Sequence, residues 1–492
     1  MVFQVETSYK KWFWAGLVTI VVSAWFSLGY NHPDEHFQVL EFCNYKLGLS
    51  SAKELPWEYK THCRTAIQPF IACCVSKLAM GSGISNPFYI AFLLRLLTGL
   101  ASWWVTCRML IRLLPSFSSD QGKKIFVVSS LFLWFVPYLA VRFSAENLSA
   151  ILFLGALSLI LDLPKVSNTK RFINTALAGL LFGFMLFVRV QMAFALLGLG
   201  IWLMFIEKLN IRYWLVLCFT GLVAIATCIT IDYWFYGEWM LTPYNYFHLN
   251  IVQHVAEKWG VFPWWWYITT FIQMAIPPIS LALIPFFITG IKRAPFHFFS
   301  LSMVLFLLGH FVIGHKEMRF LYPMAFPFIF LVCYGLEPFM EQYAQKRWYS
   351  AVFKLLVFMN FAVLFFRLVT PAQEAMKYFA YIYERSSKKE TLVFYFNRSP
   401  YMLSGVPVNF YRSKNMQVRH LKCRTEFEEL LKSNPSRELL YISPQKRLEH
   451  RLSGCKLEKL YCIFPDWLLQ NNLNDWQDRS NIWTVYKVSA MN

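Results

Sequence analysis

The feature that most constrains this chain is a succession of apolar blocks, each long enough to cross a bilayer, joined by polar connections. A hydrocarbon core about 30 Å thick takes roughly 20 apolar helical residues. Such blocks fall near 12–30, 88–111, 125–141, 147–163, 172–188, 191–206, 212–231, 265–289, 297–313, 320–336 and 351–369, about 11 spans in all. The fifth and sixth meet tightly, with Arg189 and Gln191 at the hinge. Residues 67–80 are too few to span and read as an interfacial or re-entrant segment. The first block lacks a small-residue cleavage site and reads as a span, not a signal peptide. With 57% hydrophobic and only 15% charged residues, the 492-residue chain is neither an ordinary cytosolic enzyme nor a disordered one.

The charge pattern tests the span count independently. Every second connection is basic: Lys10/Lys11, Arg112/Lys123/Lys124, Lys165/Lys170/Arg171, Lys208/Arg212, Lys292/Arg293 and Lys346/Arg347. The positive-inside rule assigns these to the cytoplasm. The opposite, non-cytoplasmic side then holds 31–87, 142–146, 189–190, 232–264, 314–319 and everything after about 370. The formal charge of +19 is therefore largely topological, and the expected partner is the lipid bilayer and not nucleic acid.

From 385 to 492 the texture turns polar, with 18 Lys+Arg and 10 Asp+Glu. Residues 391–396 and 438–442 read as buried strands, 426–431 as a helical turn, and 483–488 as a terminal strand. The expected fold class is an all-α polytopic membrane protein with a small C-terminal α/β extracytoplasmic domain. Its domains are a multi-span catalytic unit over 1–370, with a large first loop at 31–87, and a polar unit over 385–492. Cys107, Cys218, Cys228 and Cys333 lie in apolar blocks and read as buried thiols. Cys423, Cys455 and Cys462 in the tail leave any disulfide unassigned.

Ionisable groups at span ends are costly unless paired or hydrated, so they mark candidate function. Tyr30-Asn31-His32-Pro33-Asp34-Glu35-His36-Phe37-Gln38 follows the first span, and Gly314-His315-Lys316-Glu317-Met318-Arg319-Phe320 is packed between two apolar blocks. Arg142, Glu146 and Asn147 bracket another turn, and Arg189 marks the next. The charge alternation puts all four regions on one side. The adjacent Asp34 and Glu35 offer a base for a hydroxyl or acceptors to orient a polyol. His315, Lys316 and Arg319 offer cations for a phosphate leaving group. The alternative for each is an interhelical salt bridge or a snorkelling side chain, and Glu146-Asn147 also reads as a helix cap. No second acidic cluster has metal-ligand spacing, and there is no Walker loop or dinucleotide fingerprint.

On these residues the chain resembles the glycosyltransferase 22 family, the membrane mannosyltransferases that use dolichyl-phosphate-mannose. The matching elements are His32-Pro33-Asp34-Glu35-His36-Phe37-Gln38 and His315-Lys316-Glu317-Met318-Arg319-Phe320-Leu321-Tyr322-Pro323. Between them, the segments from Asp232 to Trp239, Thr242-Pro243-Tyr244-Asn245-Tyr246 and Trp259 to Tyr267 look like the family's long lumenal loop. Arg142-Phe143-Ser144-Ala145-Glu146-Asn147-Leu148 looks like its third-loop motif. The chain departs from the pattern at Arg189-Val190-Gln191-Met192, where eukaryotic members usually carry an Arg-Pro-Thr segment, and at Glu146 before Asn147.

The resemblance implies a GT-C type fold and transfer of mannose, with inversion, from a dolichyl- or polyprenyl-phosphate-mannose donor to a glycolipid glycan such as a GPI precursor. It implies Asp34 as general base, supported by Glu35. His315, Lys316, Glu317 and Arg319, with Arg142, Arg189, Asp232 and Asn245, would bind donor phosphate and substrate. No cofactor and no metal are implied. The place would be the endoplasmic reticulum membrane in a eukaryote or the inner membrane in a bacterium, with the site on the non-cytoplasmic face. The alternatives are a glycolipid transporter or flippase, whose charges should sit near the midplane between inverted repeats, and a transferase of the same fold using another polyprenyl-phosphate sugar.

Overall fold

A computed structural model describes residues 7–274, 279–403, 405–434, 437–444, 452 and 454–490. Each apolar block lies on helix, since backbone polar groups in a bilayer must be satisfied within their own segment. The piece of the 265–289 block at 275–278 lies outside the described residues. Among the described residues, six helical segments are each long and apolar enough to cross a membrane: Pro87–Ser116, Ala145–Lys165, Asn168–Val188, Ile211–Tyr236, Met318–Tyr343 and Arg347–Val369. The protein is a multi-pass α-helical membrane protein. Residues 67–80 form a helix, Ile67–Gly81, that is shorter than these.

The chain divides into two compact units. The first comprises residues 1–27, 57–74 and 92–370. Its core is rich in aromatic rings, with Phe13, Phe126, Phe153, Phe299, Phe306 and Phe330 fully buried. Two helices, Ile279–Arg293 and Ala325–Tyr343, meet backbone to backbone. A Cβ on Gly290 would stand 2.0 Å from the Leu331 carbonyl oxygen, and one on Gly335 would stand 2.0 Å from that of Phe286. Small residues at such a crossing let packing replace the missing hydrophobic drive in lipid. The predicted 125–141 span is broken between Asp120–Phe132 and Val136–Ala140. Asn360 fills the break: its Oδ1 accepts from the Trp134 N–H at 3.0 Å and its Nδ2 donates to the Phe132 carbonyl at 2.8 Å. Of the thiols read as buried, Cys107, Cys228 and Cys333 are; Cys218 instead faces outward from Ile211–Tyr236, where an apolar side chain meets lipid rather than water.

The second unit holds residues 371–492, with 28–56 and 75–91 from the first loop added. Its sheet contains five strands in the order β4-β1-β5-β7-β6. They are β1 (Thr391–Tyr395), β4 (Met416–His420), β5 (Glu438–Ser443), β6 (Cys455–Cys462) and β7 (Thr484–Ala490), with β2 (Met402–Leu403) and β3 (Val406–Pro407) in a separate small ribbon. β1 pairs parallel to β4 and β5, with Val393 opposite Val418 and Leu392 opposite Leu439; β7 pairs antiparallel to β5 and β6. The helix Arg424–Ser433 follows β4 and sends Phe427 and Leu430 into a core with Phe394, Phe396 and Tyr441.

Candidate active site

In the first unit, the helix Phe298–Val312 ends just before His315, and a tight helical turn at Met318–Met324 leads into the next span. Helix ends leave carbonyls without partners. Lys316 supplies them: its buried ammonium donates to the carbonyls of His310 (3.3 Å), Phe311 (3.0 Å) and Ile313. His315 faces two acceptors, the Gly260 carbonyl at 3.0 Å from Nδ1 and Glu317 Oε1 at 3.1 Å from Nε2. Only an imidazolium donates to both, and the Glu317 bond accordingly lifts its pKa above the usual histidine value. Arg319 grips Glu317 with Nε at 2.6 Å and Nη2 at 3.1 Å.

Glu146 closes this network. Its Oε1 lies 2.9 Å from Arg189 Nη1 and 3.5 Å from Arg319 Nη1, with all three side chains buried. The guanidiniums of Arg189 and Arg319 lie 4.9 and 5.4 Å from the Phe320 ring. The cluster brings the carboxylates of Glu146 and Glu317 together with the guanidiniums of Arg189 and Arg319, the His315 ring and the Lys316 ammonium. Among the described residues, Arg189 Nε and Nη2 are buried with no hydrogen-bond partner. Glu146 is thus no helix cap; Ser144 caps, its hydroxyl accepting from the Asn147 N–H at 3.2 Å. Asn147 Nδ2 ties down the Ala140 and Arg142 carbonyls, each at 2.9 Å.

Three other predicted residues hold backbone. Arg142 donates to the Ser27 carbonyl at 2.7 Å and to the Ser27 hydroxyl. Asp232 accepts from the Ala66 N–H (2.6 Å), the Thr65 hydroxyl (3.1 Å) and the Thr242 hydroxyl (2.6 Å). Its carboxylate so caps the start of Ile67–Gly81, where negative charge is favoured. Asn245 Nδ2 donates to the His62 carbonyl at 3.1 Å, and the Tyr236 hydroxyl to that of Arg64 at 2.6 Å.

In the second unit, Asp34 and Glu35 lie on the one-turn helix Pro33–Glu35, opened by Pro33 and capped by the His32 ring, which accepts from the Asp34 N–H at 3.3 Å. Asp34 Oδ1 lies 3.3 Å from His32 Nδ1, and Glu35 Oε2 accepts from the Asn31 N–H at 3.3 Å. A π-helical turn follows at His36–Glu41. The sequence names Glu41 and Glu146 but gives no sign of what they hold: Glu41 the His36 ring and, in the first unit, Glu146 the guanidiniums of Arg189 and Arg319. Glu41 stands five residues after His36, a spacing that neither an α-helix nor a strand brings together.

Residues 11–399 match the family described as Alg9-like mannosyltransferase. The mouse GPI alpha-1,2-mannosyltransferase 3 is 26% identical over 68% of this chain and 59% of its own length. The GPI mannosyltransferase 3 of Candida albicans is 26% identical over 63% of this chain and 60% of its own. The chain thus spans about three-fifths of the length of these curated relatives. Among solved structures, ArnT from Cupriavidus metallidurans bound to undecaprenyl phosphate aligns with a TM-score of 0.56 at 12% identity, covering 98% of each chain, a likeness of fold.

Proposed function

Since the chain belongs to the Alg9-like mannosyltransferase family, we propose that it moves mannose from a dolichyl- or polyprenyl-phosphate-mannose donor to a glycolipid glycan, the GPI precursor being the acceptor its relatives' names suggest. The observation that carries this reading is the buried Arg189 guanidinium, which, among the described residues, keeps Nε and Nη2 without acceptors beside Glu146 and Arg319. A buried guanidinium with unmet donors is costly and is relieved by an anion. A lipid phosphate fits the need for charge and for planar donors, and ArnT, the fold relative, binds one.

In the proposed reaction Asp34 takes the proton of an acceptor hydroxyl, and the oxygen attacks the anomeric carbon. The bond from that carbon to the phosphate oxygen breaks, and the lipid phosphate leaves with the electron pair. A single displacement inverts the anomeric centre. Arg189, Arg319 and His315 stabilise the charge that develops on the leaving phosphate. Lys316 holds the helix end beneath them. The site would face the non-cytoplasmic side, in the endoplasmic reticulum of a eukaryote or the inner membrane of a bacterium.

The test is transfer in vitro from dolichyl-phosphate-mannose to a truncated glycolipid acceptor, comparing wild type with Asp34→Asn. Loss of a general base should lower kcat by about 10²–10⁴-fold. Equal rates would refute the base, and transfer from GDP-mannose but not from the lipid donor would refute the donor class.

A further inference from the structure

The short helix that carries Asp34 is too small to hold itself, and the second unit clamps it on both sides. On the amino-terminal side Gly29 is left-handed at φ 88°, and the Leu28 carbonyl accepts from the N–H groups of Ala372 (2.8 Å) and Gln373 (3.2 Å). A Cβ at Gly29 would stand 2.8 Å from the Met376 side chain and 2.9 Å from that of Gln373, so the fit is close. On the carboxyl-terminal side stands Glu41. One of its oxygens, Oε1, accepts from three donors: His36 Nε2 at 2.8 Å and the consecutive backbone N–H groups of Asn409 (2.7 Å) and Phe410 (3.0 Å).

The π-helical turn explains how His36 reaches Glu41. In an α-helix, residues five apart point about 140° away from each other. The wider turn over His36–Glu41 brings them to one face, and such turns are frequent at functional sites. Both side chains are buried. The His36 ring is stacked on Tyr411, with centroids 5.6 Å apart and planes at 14°, and also touches Tyr30 and Phe37. Residues 409–411 therefore hold the turn through its carboxylate and through its imidazole at once. The His36 N–H donates in turn to the Pro33 carbonyl, one residue before Asp34.

We propose that Glu41 and His36, gripped by residues 409–411 near the carboxyl end of the chain, are positioning residues that fix where Asp34 stands. This rests on the reading of Asp34 as the base. It gives the carboxyl-terminal segment a part in catalysis by holding the turn that follows Asp34.

The experiment compares Asp34→Asn, Glu41→Gln and the double variant in the full-length protein in detergent, with dolichyl-phosphate-mannose and a truncated glycolipid. Glu41→Gln keeps shape and an acceptor oxygen but removes the charge that holds three donors. A base displaced by about 1 Å costs about 10²-fold in rate. We expect kcat of Glu41→Gln to fall between tenfold and 100-fold, with the donor KM within twofold of wild type. Added to Asp34→Asn, the substitution should change nothing further, because Glu41 acts through Asp34. A purely structural role would instead multiply the two losses, and that result would overturn the proposal. So would wild-type kcat in Glu41→Gln while Asp34→Asn is inactive, which leaves the base reading intact. Full activity of Asp34→Asn would overturn the base reading itself, a separate outcome. Should Glu41→Gln not fold, His36→Gln serves in its place. Hydrogen exchange over residues 30–41 reads the clamp without activity: faster exchange in Glu41→Gln supports it, and unchanged exchange overturns it.

Discussion

Removing the Glu146 carboxylate is the sharpest test of the charge cluster. Deleting one partner of a buried ion pair costs about 3–5 kcal/mol, because the remaining charge is left without compensation. Arg319 would still have Glu317 at 2.6 and 3.1 Å. Arg189 would not: among the described residues, Glu146 is its carboxylate, at 2.9 Å. The cost should therefore sit at the lower end, about 3 kcal/mol for Glu146→Ala. Glu146→Gln keeps the shape of the side chain and removes only the charge, so it should cost less than Glu146→Ala. Urea unfolding of the purified protein in mixed micelles, followed by circular dichroism, measures both. Asp120→Asn is the control; Asp120 is exposed and 3.9 Å from Lys123, so it should stay within about 0.5 kcal/mol of wild type. A stability of Glu146→Ala equal to that control would refute the buried-cluster reasoning. The sign of the ligand effect gives a second check. With one carboxylate gone, the cations need an anion more, so dolichyl phosphate should raise the unfolding midpoint of Glu146→Ala by more than that of wild type.

Two further outcomes follow from the same geometry. His315 is raised above the usual histidine value, first by its bond to Glu317. A raised folded pKa gives stability that is whole below the unfolded value near 6.5 and fades as pH climbs through the folded value. Glu317→Gln should flatten that slope above about pH 6.5, and a stability profile identical to wild type would count against the pair. Asp232→Asn should lower stability by about 1–3 kcal/mol, since its carboxylate is filled by Ala66, Thr65 and Thr242. Its donor KM, measured per folded molecule, should not move; a rise in KM would restore Asp232 to substrate binding.

The apolar blocks were legible because the bilayer imposes one length and one kind of secondary structure on every crossing. The break at 133–135 was not, because what repairs it is Asn360, on another helix. The sheet shows the same division. Strands β1, β5 and β7 lie inside it and carry the apolar runs that mark buried strands. The unforeseen β4 and β6 form its two edges, and edge strands are kept charged so that they do not pair with other chains. Lys, Arg and Glu in such a strand hide it from any rule based on hydrophobicity. Among the candidate residues, the dense charges at 34–35 and at 315–319 stood out against an apolar background, while their division of labour did not. Lys316, Asp232, Asn245 and Arg142 bind backbone groups, and nothing in a residue's identity says whether its partner will be a ligand or a peptide bond.

The cluster also carries a consequence that joins stability to function. Among the described residues, two Arg189 donors stay buried without acceptors. Every donor left in that state costs on the order of 1–3 kcal/mol. A chain with only 28 acidic residues against 47 basic ones has few carboxylates to spend on neutralising this site internally. If the cluster holds the proposed lipid phosphate, the unmet Arg189 donors join a cost in stability to an affinity for that anion, and any substitution that relieves the first should weaken the second.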